Sequence, residues 1–79
     1  MKEVVVYSRP GCHLCEEAIA TLRDLRSEYS FDLSEIDIEH DDQLLKRYQW
    51  RIPVVDIDGI EVAAAPISVA DLRMALASA

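Results

Sequence analysis

Cys12 and Cys15 are the only two cysteines of the chain, and two residues separate them. A disulfide between them closes a tiny loop, and chain-entropy reasoning gives such a loop little stabilising power. Close cysteines outside a disulfide framework point instead to redox chemistry or to metal binding. The pair follows the apolar run Val4-Val5-Val6-Tyr7 and opens a long helical pattern, and this placement favours redox chemistry. The thiolate is the nucleophile in thiol exchange. A helix N-terminus stabilises it with free backbone N–H groups and the positive end of the helix dipole. Cys12 takes that end. Cys15 comes almost one turn later, on the side that turns toward the core. The expected division of labour is that Cys12 attacks a target disulfide, and Cys15 then attacks Cys12 and releases the reduced target.

The competing chemistry is a metal site. A structural zinc site takes about four ligands. Beyond the pair only His13 and His40 are natural candidates, and His13 lies between the cysteines, where geometry makes it a poor third ligand. An iron–sulfur cluster held or transferred by the pair would need further thiols from glutathione or a second chain. No metal is therefore assigned to the site, and the metal or cluster module stands as the alternative function.

Several neighbours bear on the thiols. Arg9, three residues before Cys12, could stabilise the thiolate or meet a substrate carboxylate; it could equally be a solvated loop arginine. His13 is a solvent-facing modulator that acts when protonated, its unperturbed pKa lying near ~6.5. Glu16 and Glu17 suit the helix dipole but set negative charge within a turn of Cys12, so only a moderately lowered Cys12 pKa is expected. Pro53 opens a strand, where its missing N–H does least harm. Trp50 is either an exposed aromatic near a substrate groove or packing between two elements, with packing the favoured expectation.

The elements that position these residues are legible from hydrophobic periodicity. The Val4–Tyr7 run is a buried strand stopped by Ser8-Arg9-Pro10-Gly11. Leu14, Ala18, Leu22, Leu25 and Tyr29 recur at three- and four-residue steps, which predicts a helix over residues 12 to about 29. A second strand is expected over 31–38. Its alternation breaks midway, as a strand covered on both faces or a bulge near Ser34-Glu35 would require. Glu39-His40-Asp41-Asp42 supplies an N-cap and an acidic first turn to a short helix with Leu44, Leu45 and Tyr48 as its apolar side. A third strand runs over 52–57, and Asp58-Gly59 turns it into a fourth over 60–64. Ser68 caps a last helix with Asp71 in the capping-box position and Val69, Leu72 and Leu76 as its buried stripe. The order βαβαββα combines a parallel pair with an antiparallel hairpin, so the sheet is mixed.

Composition sets the outer bounds. The 79 residues allow one domain, over 1–79, of a size that folds alone but stays marginal. No apolar run approaches the ~20 residues a membrane helix needs. The N-terminus reads as a strand rather than a signal peptide, and the expected location is the cytoplasm. A net charge of -7 argues against nucleic acid or an anionic membrane as partner, since both attract basic patches.

A strand, a Cys-x-x-Cys opening a helix, Ile52-Pro53-Val54 about forty residues on, a β-hairpin and a last helix: this arrangement resembles the thioredoxin superfamily, and in length its glutaredoxin-like members. The resemblance covers essentially the whole chain. It implies an α/β thioredoxin-like fold, a four-stranded mixed sheet flanked by three helices, and thiol-disulfide oxidoreductase activity in cell redox homeostasis. It further implies that Pro53 is cis beside the cysteines and that Ile52 offers its backbone to an extended substrate segment. Arg9, His13, Ile52 and Pro53 are then the substrate-binding candidates around Cys12 and Cys15. The implied partners are a disulfide-containing protein or small molecule, with glutathione or a reductase as electron donor. No cofactor is required, and a monomer is expected. The chain carries His13-Leu14 where glutaredoxins carry Pro-Tyr, and Ala63-Ala64-Ala65-Pro66-Ile67-Ser68 where they place a Gly-Gly pair that receives glutathione.

Overall fold

The first strand organises the molecule, because it is central and its two faces meet different helices. In the computed structural model, which describes residues 2–78, β1 (Lys2–Ser8) is followed by α1 (His13–Leu25) and β2 (Phe31–Asp37). A 3₁₀ turn (Ile38–His40) leads into α2 (Asp42–Tyr48), then β3 (Val54–Ile57), β4 (Ile60–Ala64) and α3 (Val69–Ala77). The strands lie in the order β2-β1-β3-β4. β1 runs parallel to β2 and antiparallel to β3, and β3 is antiparallel to β4. This is the thioredoxin-like mixed sheet with helices packed on it.

Alternation along β1 separates two cores. Val4 and Val6, with Val55, Ile57 and Phe31, meet Ile19, Leu22 and Leu25 of α1 and Leu72 and Leu76 of α3. Tyr7 turns to the other face with Val54, Ile38, Tyr48, Leu44 and Leu45. There the Tyr7 and Tyr48 rings stack with centroids 4.6 Å apart. Apolar burial is the main drive, and a side chain such as fully buried Leu22 contributes about 1.5–3 kcal/mol.

Local signals place the element ends. Asp41 caps α2, its Oδ1 accepting from the N–H groups of Gln43 at 2.8 Å and Leu44 at 3.2 Å. Ser68 caps α3, its Oγ accepting from Asp71 N–H at 3.0 Å. The Asp58-Gly59 turn has φ of 51° and 84°, the double positive that an Asp-Gly hairpin supplies. Asp58 also accepts the Glu3 N–H at 2.9 Å, which ties the hairpin to β1.

The structure departs from the sequence reading at several places. α1 ends at Leu25, four residues short of Tyr29. The Ser27 hydroxyl donates to the Asp24 carbonyl at 2.9 Å, and the segment closes as turns with Tyr29 N–H on Leu25 O at 3.0 Å. Serine competes for backbone groups in this way and favours helix ends. β2 is neither bulged nor covered on both faces: its register with β1 is unbroken, and it is an edge strand. Its alternation breaks because Ile38 belongs to the following 3₁₀ turn, where it is fully buried, while Ile36 stays partly exposed. The irregularity lies instead between Val55 and Asp56 in the β3–β4 pairing. β3 begins at Val54 rather than residue 52, and Val69 is half exposed rather than part of α3's buried stripe. Among the described residues, no helix is long and apolar enough to cross a membrane.

Candidate active site

β1 delivers the chain to the cysteines through a tight turn. Ser8 is buried at the strand end, Gly11 takes φ of 77°, and Cys12 N–H donates to the Arg9 carbonyl at 3.3 Å. The positive φ is open to glycine at little cost and lets the chain reverse into the helix. Cys12 then serves as the N-cap of α1 with extended backbone (φ -86°, ψ 103°). Its Sγ accepts the N–H of Cys15 at 3.2 Å. One of the helix's orphan donors is thus aimed at the sulfur, and it strengthens when that sulfur becomes a thiolate.

The two sulfurs are joined in a disulfide, with Cα atoms 5.2 Å apart. They differ in access. Cys15 is 2 % exposed, whereas Cys12 is half-buried at the surface. The sulfur at the helix end is thus the accessible one, and Cys15 is shielded beneath it.

Two recesses flank the pair. One is apolar, about 130 Å³, and lies between Leu14, Ala18 and Thr21 of α1, Pro53, and the Ala65-Pro66-Ile67 approach to α3. The other is polar, and Ser8, Arg9, Gly11, Cys12, Cys15, Glu16, Glu35 and Asp37 line it. Glu35 accepts the Ser8 hydroxyl at 2.7 Å.

The substrate-binding candidates fall in different places. Arg9 lines the polar recess, but its guanidinium is bound by Glu39, with Nε at 3.0 Å and Nη2 at 2.6 Å from one carboxylate oxygen. It is neither a free loop arginine nor directed at sulfur. His13 is solvent-facing, with Glu16 at 3.9 Å and Glu17 at 3.7 Å. Pro53 is buried, its peptide bond with Ile52 is cis, and it lines the apolar recess with Leu14. Its carbonyl accepts Ala65 N–H at 3.0 Å, which holds the segment before α3 against it. Ile52 N–H already donates to the Tyr48 carbonyl at 3.1 Å, which leaves that N–H occupied within the chain. Trp50 overturns the packing expectation, being 89 % exposed. Tyr48 occupies the buried aromatic place, and the chain turns sharply after it, with Arg51 N–H on Tyr48 O at 2.8 Å. Arg51 itself is ion-paired with Glu61.

Sequence reasoning missed Glu35 and Asp37. They reach the cysteines through the parallel β1–β2 register, which sets Glu35 beside Val6 and Asp37 beside Ser8. The signal was the β-α-β order, since parallel strands open their carboxyl ends on the same side and sites form there. Ala65 and Pro66, in the segment that stands where glutaredoxins place their Gly-Gly pair, do line the apolar recess.

One buried acid lies apart from the pair. Asp56 pairs with Val5 on the Tyr7 face of the sheet and is 8 % exposed, and its Oδ1 has no hydrogen-bond partner among the described residues. Burial raises its pKa above the ordinary carboxylate value, while the neighbouring Tyr7 hydroxyl pulls the other way. Tyr7 is raised in turn, first by burial and then by the charge of Asp56.

Comparison with known proteins bears on the family. Residues 3–77 match the model of the glutaredoxin-like domain (DUF836). Protein Ne2328 from Nitrosomonas europaea is similar in structure, with a TM-score of 0.84 and 35 % identity over 96 % of this chain and 92 % of that one. Protein XcR50 from X. campestris gives a TM-score of 0.79 and 31 % identity, covering 96 % of this chain and 97 % of that one. Oxidised thioredoxin O2 from Arabidopsis thaliana, at 16 % identity and a TM-score of 0.67 over 95 % of this chain and 71 % of its own, shares the fold. No curated protein matches the chain. The Cys12–Cys15 pair at disulfide distance fits redox thiol exchange on this thioredoxin-like fold, and the chain belongs to the glutaredoxin-like domain family (DUF836).

Proposed function

We propose that the protein is a glutaredoxin-like thiol-disulfide oxidoreductase working by dithiol exchange in cell redox homeostasis. The observation that carries this reading is the unequal pair: Cys12 at the α1 N-terminus with a backbone N–H on its sulfur, and Cys15 buried behind it. In the reducing direction the Cys12 thiolate attacks one sulfur of a target disulfide. One target sulfur leaves as thiolate and the other becomes bonded to Cys12. The Cys15 thiolate then attacks Cys12 Sγ, the second target thiolate leaves, and the Cys12–Cys15 disulfide holds the oxidising equivalents. Burial of Cys15 keeps it from competing for the target.

Pro53 borders the groove in which we place the target segment, with the Ile52 backbone next to it in the chain, and Leu14 and Pro66 supply its apolar wall. We take the targets to be protein or small-molecule disulfides. Glutathione or a reductase serves as electron donor, and no resident cofactor is needed. Arg9 acts through its tie to Glu39, which fixes the loop that carries Cys12. We place the protein in the cytoplasm, working as a single-domain monomer over residues 1–79.

The test is a redox titration of metal-free protein in graded thiol/disulfide buffers, with free thiols alkylated and counted by mass. One reversible two-electron transition, between about -270 and -120 mV and lost in Cys12→Ser, supports the reading. If the pair never closes within one chain, dithiol exchange fails, and iron or zinc retained on purification would make a metal or cluster module the leading function.

A further inference from the structure

The walls of the polar recess carry one sign of charge. Glu16, Glu35 and Asp37 line it beside both cysteines, and its single cation, Arg9, is held by Glu39 at 2.6 Å. Glu17 lines the apolar recess on the other flank, which has no cation in its wall. The basic residues of the α2 end do not offset this. The Arg47 guanidinium lies over the Tyr48 ring at 5.3 Å, and Arg51 is paired with Glu61. The attacking group is itself a thiolate, and the departing target thiol leaves as a second anion. An anionic target therefore adds a third negative charge to a negative wall. A cationic group beside the target sulfur is attracted to the carboxylates and stabilises the leaving thiolate.

We propose, resting on the oxidoreductase reading above, that the site selects disulfides flanked by positive charge, such as a cystine beside lysine or arginine, and that Glu16, Glu35 and Asp37 set this preference. Glutathione disulfide, with more carboxylates than ammonium groups, falls on the disfavoured side. Fields of one sign focused in a cleft raise the capture of opposite charge by about 10-fold or more, and the effect falls with salt.

The experiment is a single turnover of pre-reduced protein with three small disulfides: cystamine (cationic), bis(2-hydroxyethyl) disulfide (neutral) and 3,3′-dithiodipropionate (anionic). Each turnover converts the dithiol and one disulfide into the Cys12–Cys15 disulfide and two free thiols, so no added reductant is needed. Rates are read by alkylation and mass, and each is divided by the rate with dithiothreitol, which removes differences in leaving-group reactivity. The expected cationic-to-anionic ratio is about 10 or more at roughly 0.01 M ionic strength, where the screening length is about 30 Å. It collapses toward 1 at roughly 1 M, where that length is about 3 Å.

Glu16→Gln, at an exposed position independent of the Ser8–Glu35 bond, should lower the ratio measurably, and Glu16→Gln/Glu35→Gln/Asp37→Asn should lower it further. Lys46→Gln/Arg47→Gln, which removes two cations from α2 outside the recess, should not lower it. A ratio near 1 at low salt, or one indifferent to salt, overturns the charge preference while reduction of the neutral disulfide keeps the oxidoreductase reading. Failure of all three disulfides to oxidise the pair overturns both.

Discussion

Asp56 gives a stability prediction whose sign can be worked from the structure. Its carboxylate is buried in the Tyr7 face of the sheet with one oxygen unpartnered, and burial raises its pKa. A group whose folded pKa lies above its unfolded value favours folding while it is protonated in both states. That contribution is fully present below the unfolded pKa, near ~3.9 for aspartate, and is lost as pH rises through the folded value. At pH 7 the burial of the carboxylate therefore counts against folding, offset only in part by the neighbouring Tyr7 hydroxyl. Asp56→Asn keeps an acceptor for the Tyr7 hydroxyl and removes the charge, but leaves a neutral buried N–H in place of the orphan oxygen. Unsatisfied buried groups cost about 1–3 kcal/mol and charged ones more, so the net gain is about 1–2 kcal/mol at neutral pH. For a domain of this size each kcal/mol moves Tm by about 4–8 °C. Thermal unfolding of both proteins, followed by circular dichroism at pH 7 and pH 3, tests this. The variant should melt several degrees higher at pH 7, and the difference should vanish or reverse at pH 3, where the aspartate is neutral in both states. An equal or lower Tm at pH 7, or a gain that persists undiminished at pH 3, would refute the reasoning.

Three further outcomes follow from the same structure. Cys15→Ser should accumulate the Cys12 mixed disulfide during attack on a target, visible as a mass adduct of one target half, because the shielded resolving sulfur is gone. Ser68→Ala removes the cap on Asp71 N–H and should lower stability by about 1 kcal/mol, seen as a fall in urea midpoint without change in the slope. Trp50 is the single tryptophan and is 89 % exposed, so native emission should already resemble that of the unfolded chain and be quenched freely by iodide. A blue-shifted, protected emission would contradict its position.

Much of the fold could be read from local pattern because local chemistry decides it. The apolar steps of α1, the β-branched run of β1, the Asp58-Gly59 turn and the Ser68 cap each act within a few residues, and each lies where its pattern puts it. The thiol pair was legible for the same reason, since the reactive position depends only on what precedes Cys12 and what it begins. Element ends were less secure. Tyr29 continues the apolar spacing of α1, yet it reaches the core from a turn, because packing needs the ring in place and not the helix beneath it. Trp50 misled for the opposite reason: large aromatics are usually core, but Tyr48, two residues earlier, already fills the place against Tyr7.

The walls of the site belong to a different level of information. Glu35 and Asp37 lie in a segment whose own pattern says only that it is a strand with a charged end. Their importance arises when β2 is laid parallel to β1, so that the end of one strand opens beside the turn into Cys12. The same holds for the Ala65-Pro66-Ile67 segment, which a backbone hydrogen bond from Ala65 N–H to the Pro53 carbonyl brings into the apolar recess. Nucleophile and wall are thus specified by separate means. Two cysteines at a helix start define the chemistry, and strand register defines what approaches it. Lysines at 35 and 37 would lie on an edge strand, away from both cores, at the cost of the acceptor for the Ser8 hydroxyl and of the Asp37 cap on Glu39 N–H. On the charge preference proposed above, such a chain would favour cationic targets less, with Glu16 and Glu17 still in the walls. Substrate choice in this site can therefore change through the edge strand while the thiol pair and the two cores stay as they are.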